Sequence, residues 1–129
     1  MRDIKFRAWF RKNNGFMMYS GFSVNPNGII FNIHNEKQDA VLMQYTGLED
    51  KNGVRIYEGD LIKAIKYENI LQDEISQVVF RSGAFQLQTI EFEYNAMLSL
   101  CNIKMRNIEV VGNIYENKEL LGERDEAGV

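Results

Sequence analysis

Nucleophilic catalysis needs a base beside the nucleophile, and this chain offers one thiol and one imidazole, Cys101 and His34. Cys101 follows an apolar segment, and no orienting acid or activating charge can be named for it, so a small buried hydrophobe is the preferred reading. Paired carboxylates for acid–base work occur twice. Glu91 and Glu93 would share one strand face, but Phe92 and Tyr94 alternate with them as a core face does, which favours a solvated face. Glu58 and Asp60 flank Gly59; they could serve as acid and base, or satisfy backbone N–H groups at a turn, and the turn is preferred. Asp50-x-Asn52-Gly53 has the look of a calcium loop. Setting Gly53 at the loop's sixth place, however, puts Leu48 first and Gly59 twelfth, where carboxylates are required. One Cys and one His are too few for a structural metal site, and neither a phosphate-binding loop nor a dinucleotide fingerprint occurs. The expectation is no catalytic residue, no metal and no cofactor.

The best remaining constellation is Lys5, Arg7, Trp9 and Arg11. Alternating along one strand, they would combine phosphate-seeking cations with an aromatic surface on which a base could stack. The competing and preferred reading packs Trp9 between two subdomains with the arginine stems laid over it. The overall charge of −3 argues against a wholly basic surface, but its distribution is uneven. Residues 1–12 carry Arg2, Lys5, Arg7, Arg11 and Lys12 against Asp3 alone, whereas residues 116–129 are net acidic.

These side chains must be positioned by strands. The chain has 129 residues, 45% hydrophobic and 26% charged, which suits one compact domain or two small subdomains. Its single Pro, and ten Gly set mostly between short runs rich in Ile, Val, Phe and Tyr, punctuate a mostly β protein. Residues 4–10 alternate, with Ile4, Phe6, Ala8 and Phe10 on the face expected to enter the core. Lys12-Asn13-Asn14-Gly15 reads as a hairpin turn returning through 16–19. Further strands are expected over 29–33, 41–46, 54–57, 61–67, 75–81, 84–88 and 108–115. Ser82-Gly83 is read as a tight turn, with Phe85 and Leu87 facing inward, and Tyr94-Asn95-Ala96-Met97-Leu98-Ser99-Leu100 as a short helical turn. The division expected is an N-terminal β subdomain over 1–50, a second over 51–117 with the rhythm of an SH3-like barrel, and a flexible acidic tail over 118–129.

Four blocks of sequence are distinctive. They are Lys5-Phe6-Arg7-Ala8-Trp9, Gln44-Tyr45-Thr46-Gly47-Leu48-Glu49-Asp50-Lys51-Asn52-Gly53, Ile56-Tyr57-Glu58-Gly59-Asp60-Leu61-Ile62, and Glu109-Val110-Val111-Gly112-Asn113-Ile114-Tyr115-Glu116-Asn117. In this order they resemble the YopX family of bacteriophage and prophage proteins across nearly the whole chain, with residues 20–40 and 67–74 least matched. Phe10 departs from the acidic residue that often follows the Trp, and Lys118 from the Pro that often follows the Glu-Asn pair. The resemblance implies a small, mostly β protein of antiparallel strands, carried by a phage or prophage, and no defined biochemical activity. Within the blocks, Gly47, Gly53, Glu58, Gly59, Asp60, Gly112 and Asn113 are read as turn-forming.

The function expected is that of a non-enzymatic accessory protein acting through protein contacts, with a partner or as a homo-oligomer paired through strand edges such as 29–33. The alternative is weak nucleic-acid binding by Lys5, Arg7, Trp9 and Arg11, with a steep salt dependence. No apolar run approaches the ~20 residues that span a bilayer, so no membrane association and a cytoplasmic place in the bacterial host are expected.

Overall fold

The structure, a computed structural model, describes residues 3–64, 75–89, 97–99 and 108–121. These residues form a mostly β protein built from antiparallel pairs. In chain order the strands are β1 (Phe6–Phe10), β2 (Phe16–Met18), β3 (Phe22–Val24), β4 (Ile30–Asn32), β5 (Ala40–Glu49), β6 (Arg55–Tyr57), β7 (Asp60–Ala64), β8 (Ile75–Arg81), β9 (Ala84–Thr89), β10 (Met97–Ser99) and β11 (Ile108–Asn113), followed by one 3-10 turn, Lys118–Leu120. The chain divides into two compact units, Met1–Tyr45 and Thr46–Val129, the boundary falling inside β5.

In the first unit β1 lies between β2 and β5, with Ala8 opposite Met18 on one side and Leu42 on the other. The turn from β1 to β2 holds Asn13, Asn14 and Gly15 all at positive φ, which Asn and Gly tolerate best. A two-stranded ribbon, β3–β4, supplies the second layer: Ala8, Phe10 and Ile30 form a buried cluster joined by Met18, Phe22, Ala40 and Leu42. Phe10 anchors it, stacked on Phe16 at 5.2 Å and meeting Phe22 edge-on at 6.0 Å. Of the four residues expected on the core face of β1, Ala8 and Phe10 are buried, but Ile4 and Phe6 are exposed. The β3 strand, with a serine at its centre and Ser20-Gly21 before it, carries no alternation long enough to announce it.

In the second unit the sheet order is β10-β9-β8-β7-β11, so the last strand returns beside the first. That order is consistent with the SH3-like rhythm of the sequence. Ile56, Ile62, Val78, Leu87 and Ile108 are its buried core, with Leu48, Phe85 and Val110 packed against them. The β8–β9 hairpin closes through Ser82 and Gly83, both at positive φ, the geometry whose twist suits a two-residue loop. Residues 97–99 are strand, not helix, and pair with β9 from Met97 opposite Gln88 to Ser99 opposite Gln86. Helix propensity is a weak prior there, and an available sheet edge outweighs it. The remainder of that expected turn and residues 122–129 of the expected tail lie outside the described residues, as do Glu91, Glu93 and Cys101.

Gly15 shows how closely the first unit is packed. It sits at φ +91°, and the six-membered ring of Trp9 occupies the space a β-carbon would need. Gly15→Ala should therefore cost about 1–3 kcal/mol. It should also shift the emission of Trp9, the only tryptophan, to longer wavelength as the ring is displaced. An unchanged emission spectrum would show that the ring is not held there.

Candidate functional site

Lys5, Arg7, Trp9 and Arg11, weighed as a basic, aromatic face, are each engaged within the scaffold. Arg7 is only 3% exposed. Its Nη1 donates to the Tyr19 hydroxyl at 3.4 Å, and its guanidinium carbon lies 6.0 Å from the centre of the Tyr19 ring. Trp9 is half-buried and lies against Gly15. Arg11 Nη1 sits 2.7 Å from Asp39 Oδ1, and Lys5 Nζ is 3.3 Å from Asp3 Oδ1. Alternation assigns a side chain to a face of its strand without saying what covers that face, and here the cations are matched individually. The exposed pairs at Lys5 and Arg11 contribute little to stability, but a phosphate would have to displace the acids from them.

The glycines and acids of the other blocks meet at turns. Gly47 lies within β5 at φ +89°; beside it Thr46 Oγ1 donates to the Ile56 carbonyl at 2.8 Å and accepts from the Leu48 N–H at 3.2 Å. Gly59, at φ +85°, donates its N–H to the Val78 carbonyl and accepts from the Ile114 N–H, both at 2.9 Å. Asp60 is buried and its Oδ2 accepts the Tyr57 N–H at 2.8 Å, while Glu58 is half-buried. Since Asp60 pairs with Asn113 across β7 and β11, two distant sequence blocks close the same end of the sheet. Asn113 Oδ1 accepts the N–H groups of Tyr115 and Glu116, and Asn117 Oδ1 in turn accepts that of Asn113. The Asn117 side chain crosses Gly112 where a β-carbon would stand.

Asp50 accepts three backbone N–H groups. Its Oδ1 accepts from the Asn52 N–H at 2.8 Å and the Val54 N–H at 2.9 Å, and its Oδ2 accepts from the Val110 N–H at 2.9 Å. Burial pushes its carboxyl pKa up, but the Val110, Val54 and Asn52 N–H donors and the charge of Lys51 outweigh this, so it lies below the ordinary 3.8. Gly53, at φ +80°, completes the turn by donating to the Asp50 carbonyl. The turn reading of Asp50-x-Asn52-Gly53 holds, and among the described residues no cluster of three His, Cys, Asp or Glu could hold a metal ion. His34 is exposed.

A different surface emerges from the first unit. From Asn13 to Asn35 the sequence has no Asp, Glu, Lys or Arg, in a chain that is 26% charged. This run contains β2, β3 and β4, and four of its large apolar side chains are exposed: Phe16, Tyr19, Val24 and, at 76%, Ile33. The exposure of Ile33 is held in place by its neighbours. Asn32 Oδ1 accepts the N–H groups of His34 and Glu36, Asn32 Nδ2 donates to Glu36 Oε1, and Asn35, at φ +61°, donates its N–H to the Asn32 carbonyl. Beside this tip lies an open groove of about 400 Å³ lined by Gly21, Phe22, Ser23, Asn32, Ile33 and Asn35, none of them charged. The gap in charge is the sequence signal for this surface.

Two small antiparallel β units locked by glycine and Asx turns define the class: a mostly β protein whose distinctive residues serve the scaffold. The chain matches the YopX protein family over residues 5–122 and belongs to it. Among solved structures it is similar to protein EF1440 from Enterococcus faecalis, with 26% identity over 94% of this chain and 99% of that one and a TM-score of 0.54. It is also similar to protein yopX from Bacillus subtilis, with 22% identity over 94% and 97% of the two chains and a TM-score of 0.58. No curated protein matches it. No helix among the described residues is long and apolar enough to cross a membrane.

Asp50→Ala leaves three backbone N–H donors without their charged acceptor and should destabilise the second unit by about 2–4 kcal/mol in urea unfolding. Because the carboxyl pKa is lowered on folding, its contribution is complete above the unfolded value of 3.8 and disappears as the pH falls through the native value. The stability difference between wild type and Asp50→Asn should thus stay constant above about pH 5 and shrink below it. A difference that grows in acid would overturn this account.

Proposed function

We propose that the protein is a non-enzymatic interaction module of a phage or prophage, working through protein contacts made by the uncharged face of its first unit. The observation that carries this reading is Ile33, a large apolar side chain 76% exposed in a turn that Asn32 closes by accepting the His34, Asn35 and Glu36 N–H groups, inside a segment without charge. Leaving such a side chain in water forgoes roughly 1.5–3 kcal/mol of burial free energy, which a partner surface would recover. Depletion of charge, together with Phe, Tyr and Met in the same run, is the composition of an interface core. Four of the acids and cations weighed for chemistry or phosphate binding are engaged within the scaffold: Asp50 and Asp60 on backbone N–H groups, Arg7 on Tyr19, and Arg11 on Asp39.

A photo-crosslinking residue placed at position 33 should give protein adducts in the producing cell, a second copy of the chain included. The same probe at position 80, where Phe80 is exposed on the second unit, should give none. Ile33→Asp should leave the thermal midpoint unchanged within about 2 °C, since its side chain buries little. It should abolish adducts formed through a probe at position 23. Adducts at 80 but not at 33 would overturn the assignment of this face.

A further inference from the structure

We infer that the occupant of this face is a second copy of the chain, joined by antiparallel pairing of β3 with its own two-fold mate. The inference rests on the proposed interaction face and specifies its partner. Hydrogen bonds around the ribbon show which strand edge is open. Asn25 donates its N–H to the Ile29 carbonyl at 2.9 Å, which makes Asn25 and Ile29 a hydrogen-bonded pair. Alternation along an antiparallel ladder then makes Val24–Ile30 a non-bonded pair, Ser23–Phe31 a bonded one and Phe22–Asn32 non-bonded. The outer side of β4 is already taken, because Gln38 donates to the Ile30 carbonyl and Asn32 to the Glu36 carbonyl. On β3 the corresponding outward groups are the N–H and C=O of Phe22 and Val24, and no hydrogen bond to them is formed among the described residues.

This edge is complementary to itself. A two-fold axis through Ser23 sets Phe22 opposite Val24 of the mate and Val24 opposite Phe22, so the four outward groups on each strand pair. Both contacts are of the aromatic with β-branched kind that stabilises cross-strand neighbours. An isologous contact places a surface against its own copy, so any charge near the axis would meet its like; the uncharged run from Asn13 to Asn35 removes that penalty. Edge strands that stay single are blunted by charge, by Pro or by being very short; β3 is short but carries neither charge nor Pro. Ser23 is exposed and, on the axis, would face its own copy as a non-bonded pair, whose Cα separation suits a disulfide. Three residues of strand bury little area alone, so the pairing is a reversible, concentration-dependent dimer.

The test uses the full chain. Sedimentation equilibrium of the wild type should rise from the mass of one chain toward that of two as concentration increases. Val24→Pro removes only an outward N–H, a position where an edge strand accepts Pro, and should hold the protein at one chain with its circular dichroism unchanged. In a Cys101→Ser background, mild oxidation of Ser23→Cys should give a covalent dimer, while Asn27→Cys in the neighbouring turn should remain single. A wild type that stays at one chain throughout, with no cross-link at position 23, overturns the inference. If the photo-probe at position 33 still captures another protein, the interaction face survives and only the identity of its partner fails; if it captures none, both fail. Dimerisation that persists in Val24→Pro places the seam elsewhere and also overturns it.

Discussion

The second unit depends on one carboxylate. Asp50 holds the loop after β5 shut through Asn52 and Val54, and reaches β11 through Val110, sixty positions along the chain. A side chain that joins a local turn to a distant strand converts loop closure, an entropic cost, into a fixed register for both. Val110 is also where β11 bulges against β7, its pairing shifting between Val110 and Gly112. The bulge brings Asn113 opposite Asp60 and Gly112 beneath Asn117, so the Asp50 contact and the turn at the far end of β11 set one geometry between them.

The first unit solves a different problem. It is small, with only Ala8, Phe10 and Ile30 in its buried cluster, and much of its stability must come from aromatic contacts around Phe10. The buried guanidinium of Arg7 has the Tyr19 hydroxyl and ring beside it. The same arrangement removes Arg7 from the surface, which is why a strand that reads as basic ends as scaffold. Its neighbours Lys5 and Arg11 remain outside, each matched to an acid.

Strands bounded by turn residues with a conformational requirement were legible. β8 lies where alternation and the Ser82-Gly83 turn place it, and Asn13-Asn14-Gly15 closes the first hairpin as its residue types demand. Legibility failed where tertiary structure decides. β5 runs on through Gly47 because Thr46 bridges to Ile56, a contact no local pattern encodes. Met97–Ser99 is a strand because β9 offers an edge. β3 has only three residues and shows itself through its partner β4. For the candidate surface the sequence held the needed signal, the absence of charge from Asn13 to Asn35, but absence acquires meaning only once Ile33 and Val24 are known to face water.

The residues that mark the chain as a YopX protein and those that form its uncharged face are largely different sets. Asp50, Asp60 and Asn113 satisfy backbone N–H groups, Gly47, Gly53 and Gly59 hold positive φ, and Gly112 leaves room for the Asn117 side chain. Phe22, Val24 and Ile33 lie in the least matched part of the resemblance, on a ribbon whose turns are closed by the side chains of Asn25 and Asn32. Such a ribbon can change Val24 and Ile33 with little effect on Ala8 or Phe10, because of its side chains Phe22 and Ile30 are the ones that reach the core. Turns hold the scaffold, and the exposed Val24 and Ile33 stand outside the buried cluster that holds the first unit together.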